Sequence, residues 1–170
     1  MKTTLFILLA SATLCLAGGE NMKPYTGSPE LEKLKALAGT WKGTTDMGKG
    51  PVPITAKYRV ISNGSAVEER LFADTPKEMV TIYHDKDGKL ALTHYCCLGN
   101  QPAMAMVKGE GNSISFDLAK DCGIKVDTER HMHALTLTLD DANHLTHDWI
   151  SYENGKAGDH HPFQFERVKS

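Results

Sequence analysis

The chain has 170 residues, 41% of them hydrophobic, and 19 basic against 21 acidic residues give a formal charge of −2. That balance excludes the basic stripe that a nucleic-acid surface requires. Beyond the N-terminal segment, no apolar run is long enough to span a bilayer as a helix.

Lys2 supplies a positive start, residues 5–16 form an apolar run, and Ala17-Gly18-Gly19 is small. This is the layout of a secretory signal whose apolar core is too short to cross a membrane. Residues 1–19 are therefore expected to be a signal peptide, with cleavage after Ala17. The chain is expected to be secreted or periplasmic, with no membrane attachment after cleavage. A lipoprotein reading centred on Cys15 is weakened by Leu14, where a small residue is usual. An uncut N-terminal anchor is the other alternative. Residues 20–28 read as a lead-in and residues 29–170 as one domain, long enough to bury a core.

One helix is expected. Ser28 is a good N-cap, Pro29 suits the first helical position, and Glu30 complements the positive end of the dipole. Leu31, Leu34 and Leu37 recur every three residues as one apolar stripe, and Gly39 stops the helix. Beyond it the period changes to two, with turn signals about every dozen residues. Strands are expected over residues 40–45, 54–61, 66–72, 79–84, 89–97, 104–108, 113–118, 128–139, 145–152 and 163–168. The fold class is thus all-β: an antiparallel up-and-down β-barrel of about ten strands with one short N-terminal helix. A two-sheet sandwich would require a long crossover, and none is seen.

Cys96, Cys97 and Cys122 lie in the domain. Adjacent cysteines on a strand point to opposite faces, so only one of the first two suits Cys122. A bridge would close a loop of about 25 residues and add roughly 3 kcal/mol, and three buried free thiols are the alternative.

Residues 90–106 concentrate His, Tyr, Cys and Met side chains. With Lys86-Asp87 as the hairpin turn, Tyr83 lies opposite Leu90, Thr81 opposite Leu92 and Met79 opposite His94. The face carrying Leu90, Leu92, His94 and Cys96 is expected to look inward, because both leucines then reach the core. An inward His94 is either a polar anchor for a ligand, a metal or haem ligand, or a hydrogen-bonded core histidine. A cavity lined by Tyr83, Leu90, Leu92, His94, Cys96, Met104 and Met106 is the expected site for a small apolar or amphipathic ligand. His131 and His133 share one strand face, and His144 and His147 lie on opposite faces, but no spacing matches a closed zinc site. Glu68 and Glu69 face opposite sides of their strand, and Asp140-Asp141 reads as a turn. No acid/base pair emerges, and no catalytic residue is assigned.

Gly39-Thr40-Trp41 on the first strand after a short helix resembles the calycin superfamily, which includes lipocalins, fatty-acid-binding proteins and nitrobindin-like haem barrels. The resemblance implies that Arg167, on the last strand, packs across Trp41. Met79-Val80-Thr81, Thr93-His94-Tyr95-Cys96 and Gly99-Asn100-Gln101-Pro102 also resemble a family of bacterial secreted domains of unknown function. In nitrobindin-like barrels a histidine shortly before the final strand holds haem iron. His160 stands in a similar place, although His161 and Pro162 depart from the pattern. A haem- or metal-binding barrel with redox or isomerase activity is therefore the alternative to a ligand-binding barrel.

Overall fold

A computed structural model describes residues 22–46, 48 and 50–169. The signal segment expected over residues 1–19 lies outside them. The helix α1 (Pro29–Lys35) forms as its caps dictate. Ser28 Oγ accepts from Leu31 N at 3.2 Å, and Leu31, Leu34 and Leu37 are buried. Ser28 also donates to Asp85, from Oγ and from its backbone N, both at 2.7 Å, so the cap ties the helix to the end of a strand.

The strands are β1 (Gly39–Asp46), β2 (Pro51–Ile61), β3 (Ala66–Leu71), β4 (Met79–Lys86), β5 (Lys89–Tyr95), β6 (Ala103–Glu110), β7 (Ser113–Leu118), β8 (His131–Leu139), β9 (His144–Glu153) and β10 (Lys156–Arg167). Each pairs antiparallel with its neighbours in the chain, and β1 pairs with β10 to close the barrel. The all-β, ten-stranded, up-and-down barrel with one short helix is therefore the observed architecture. At the seam the strands approach closely. A Cβ on Gly43 would stand 1.8 Å from the Gln164 carbonyl oxygen, so only glycine fits.

Three details of the register differ from the sequence expectation. The β4–β5 hairpin turns at Asp87-Gly88, both at positive φ (54° and 77°), as a two-residue primed turn demands. Tyr83 thus pairs with Leu92 and Thr81 with His94. A slip of two residues keeps every side chain on its expected face. Next, β8 begins at His131, and residues 119–130 form a loop. Finally, β10 begins at Lys156, seven residues earlier than its composition indicates. Its first half pairs only with β9, and pairing to β1 starts at Phe163, just after Pro162, which has no N–H to give.

One end of the barrel is closed by the helix and by Arg167. The guanidinium lies 4.2 Å from the Trp41 ring centroid. It donates to the carbonyls of Ala36, Ala38 and Ala142 at 2.8, 2.9 and 2.9 Å. The Trp41 indole donates to Leu37 O at 2.8 Å. The last strand, the helix exit and the β8–β9 turn are thereby held at one point.

The middle of the barrel contains a polar layer. Tyr58, Glu69, Tyr83 and His147 are all buried. Tyr83 donates to Glu69 Oε2 at 2.5 Å, and Tyr58 Oη meets His147 Nε2 at 2.8 Å. Glu69 Oε1 and His147 Nδ1 face each other at 3.6 Å without a hydrogen bond. Burial pushes the Glu69 carboxyl up to about 7, against the pull of the two tyrosine hydroxyls. Burial pushes the His147 imidazole down to about 3.

Arg167→Ala removes three charge-assisted hydrogen bonds and the cover of the indole. We expect a loss of about 2–4 kcal/mol in urea unfolding. Arg167→Lys should recover less than half, because an ammonium cannot reproduce the planar fork; full recovery by lysine would refute this account. Glu69 binds its proton more tightly folded than unfolded. Its contribution is therefore complete below about pH 4.5 and is lost as pH rises through about 7. His147 acts in the opposite sense: its contribution is complete above pH 6.5 and is lost as pH falls toward 3. The difference in unfolding free energy between Glu69→Gln and the unchanged protein isolates the first effect. It should shift in favour of the variant by about 3 kcal/mol between pH 4 and pH 8. A difference that does not change with pH would contradict a raised Glu69 pKa.

Candidate functional site

Above the polar layer, toward the end away from the helix, the inward columns change character. On β9 the inward residues run Leu145, His147, Trp149, Ser151; on β10 they run Phe165, Phe163, His161; on β4 they run Tyr83, Thr81, Met79. Here the barrel opens into a pocket of about 120 Å³. Its floor is His94 and Trp149. Its walls include Leu71, Met79, Met132 and Phe163. Phe72, Cys96, Cys97, Leu98 and Arg130 form its rim. The lining is mostly apolar, with a few polar groups converging on it, as small-molecule sites are.

His94 is 1% exposed. Its Nδ1 meets Thr81 Oγ1 at 2.9 Å, and its ring lies 4.5 Å from the Trp149 ring, tilted by 43°. Burial pushes its pKa down to about 4, so the imidazole is neutral at physiological pH. Among the described residues, no protein group hydrogen-bonds its Nε2. The Trp149 Nε1–H is buried and has no partner either. The pocket is thus lined by a histidine whose Nε2 has no protein partner and by an indole whose N–H is buried without one.

Of the residues expected to line a cavity, His94 and Cys96 do so. Tyr83, Leu90, Leu92 and Met104 do not line this pocket; the last three, with Met106, border a separate cleft along β5 and β6. They are buried in the closed core with Ile114 and Phe116, the Tyr83 and Phe116 rings being 5.9 Å apart. The Tyr83 hydroxyl is engaged by Glu69 and is not free to orient a ligand. Met106 is half-buried against the same core, away from the pocket. On the inner side of the barrel these side chains pack against one another, because the interior columns of ten strands carry enough aromatic and aliphatic volume to fill that half.

His160 is the second correction. The alternation that sends Phe163 and Phe165 inward sends His160 outward, where its Nδ1 pairs with Asp148 at 3.0 Å. His161 is the neighbour that lines the pocket, 3.4 Å from Ser151 Oγ. The histidine that the resemblance assigns to haem iron points away from the pocket, so the pocket and His160 do not form one haem site. No three His, Cys, Asp or Glu side chains converge as a metal site among the described residues. His131 and His133 bond to each other, Nε2 to Nδ1, at 3.1 Å. His131 Nδ1 donates to Glu129 O at 2.6 Å, and His133 stacks on Tyr152 at 3.7 Å.

Cys96, Cys97 and Cys122 are all free thiols. Cys122 is buried and donates to Ile124 O at 3.8 Å, so its thiol is turned into its own loop. Trp149, His161, Met132 and Arg130 were missed by the sequence reading. The first two were accessible to it: Phe163 and Phe165 fix the parity of His161, and Leu145 fixes that of Trp149. Met132 was not, because a bulge between Met132 and Ala134 breaks the alternation of β8.

No protein-family model matches this chain, and a search of curated proteins finds no match. Solved structures do resemble it. Rv2717c from M. tuberculosis superposes with a TM-score of 0.56 at 14% identity, over 85% of this chain and 100% of that one. A protein of unknown function from the DUF3598 family of Nostoc punctiforme superposes with a TM-score of 0.54 at 12% identity, over 79% of this chain and 49% of that one. At these identities the likeness shows a shared fold: this chain is a closed ten-stranded barrel of the same architecture as those two proteins.

Proposed function

We propose that this protein is an exported, calycin-like barrel that binds a small, largely apolar molecule in the pocket above His94. The observation that carries the reading is an apolar pocket of about 120 Å³ whose floor presents a neutral histidine, one ring nitrogen of which has no protein partner among the described residues. An apolar protein cavity of about 150 Å³ holds benzene, so the occupant is of single-ring size. His94 Nε2 provides one hydrogen bond and Trp149 an aromatic wall. The sequence layout of residues 1–19 supports export. Gly39-Thr40-Trp41 on the first strand and Arg167 over the indole from the last strand support the calycin-like placement. No catalysis is assigned, and the outward direction of His160 supports the ligand reading over a haem reading.

Phenol and benzene are suitable probes, since they differ by one polar atom. Phenol should shift the indole N–H resonance of Trp149 saturably and leave that of Trp41 unmoved. His94→Leu should weaken phenol about tenfold, one hydrogen bond's worth, and leave benzene unchanged. Phenol affinity should be flat from pH 8 to pH 5, because His94 takes up its proton only near pH 4. If neither probe moves the Trp149 resonance, the pocket is not a binding site for small rings.

A further inference from the structure

We propose that Cys96 and Cys97 form a vicinal dithiol–disulfide site at the pocket rim, oxidised by low-molecular-weight disulfides. The proposal does not depend on what the pocket binds. On a continuous strand two adjacent cysteines would face opposite sides. Here β5 ends at Tyr95, and the chain turns tightly. Gly99 N donates to Cys96 O, and Cys96 N to Asn100 O, both at 3.0 Å. The turn brings both cysteines to the wall of one pocket, with Cys96 half-buried and Cys97 exposed. Cys122 is held elsewhere, its thiol on Ile124 O and its carbonyl bonded by Ala103 N, so it does not compete for either thiol.

Accessibility assigns the roles. Burial, and then the neighbouring Cys97 sulfur, push the Cys96 thiol up to about 11. Cys96 is thus a poor first nucleophile, and the exposed Cys97 is the one an external disulfide reaches. With oxidised glutathione, the Cys97 thiolate attacks one sulfur, the glutathione S–S bond breaks, and one glutathione thiolate leaves. The Cys96 thiolate then attacks Cys97 Sγ, and the second glutathione thiolate leaves. The protein gives up two protons and two electrons, and one glutathione disulfide becomes two thiols. Asn100 anchors the far side of the turn, its Nδ2 donating to Glu129 Oε1 at 2.8 Å and Arg130 O at 2.9 Å. Closing the ring therefore moves the pocket wall, because the turn cannot swing away as a unit. Adjacent Cα atoms are about 3.8 Å apart, short of the roughly 4.4–6.8 Å a relaxed disulfide spans. The bond is strained and belongs to the readily reduced class.

The full-length protein, fully reduced, is incubated with oxidised glutathione, quenched in acid, alkylated, digested with trypsin and read by mass spectrometry at the peptide of residues 90–108. The expected product lacks two hydrogens, carries no glutathione and returns to the dithiol with dithiothreitol. Cys96→Ser should accumulate a lasting glutathione adduct on Cys97. Cys97→Ser should react at least tenfold more slowly than Cys96→Ser. A lasting adduct in the unsubstituted protein, a bridge to Cys122 or to a second chain, or thiols that remain unreacted would each overturn the proposal.

Discussion

The seam between β1 and β10 is the constraint on which the rest of this molecule depends. An open sheet of ten strands would leave two edges and one apolar face unprotected; closing it removes the edges and turns that face into a core. Closure here requires backbone against backbone at Gly43, where any Cβ would collide with the Gln164 carbonyl. Arg167 then clamps the joint by bonding three carbonyls from other segments while covering Trp41. The helix is held to the same end by its cap on Asp85 and by the Arg167 bonds to its C-terminal carbonyls.

Once the ring is closed, the interior is divided along its axis. The half near the helix is packed solid by Leu31, Leu34, Trp41, Leu90, Leu92 and Phe116. The middle carries Tyr58, Glu69, Tyr83 and His147 in one buried layer, with the neutral form favoured for Glu69 below about pH 7 and for His147 above about pH 3. Such a layer costs stability relative to an apolar one unless every polar atom finds a partner. Two atoms here, Glu69 Oε1 and His147 Nδ1, do not, so folding and proton binding are coupled at the heart of the barrel.

Beyond that layer the columns no longer fill the space, and the pocket begins. His94 marks the boundary, being hydrogen-bonded to the core through Thr81 on one nitrogen and open on the other. The rim is built from segments that have left the strand pattern: the turn carrying Cys96 and Cys97, and the end of the loop before β8. Cys96 and Cys97 both line one pocket because they lie where the regular sheet ends, and only there can adjacent residues face the same space.

The period of two, the spacing of turn residues and the caps around Pro29 were enough to specify an up-and-down barrel with one helix, since these are local signals that the closed sheet reinforces. Alternation also placed Leu90, Leu92 and His94 inward, and it survived a two-residue slip in the hairpin because such a slip preserves parity. Other features belong to the tertiary structure alone. Whether an inward residue meets a packed neighbour or open space depends on which columns converge at each depth of the barrel. Leu90 and Met104 were filled in by residues from distant strands, whereas His94 was left a vacancy. The parity of Phe163 and Phe165 assigns His161 inward and His160 outward only because the last strand begins at Lys156, well before its composition indicates. Glu69 and His147, 78 positions apart in the chain, come within 3.6 Å of each other only because β3 and β9 face each other across the barrel.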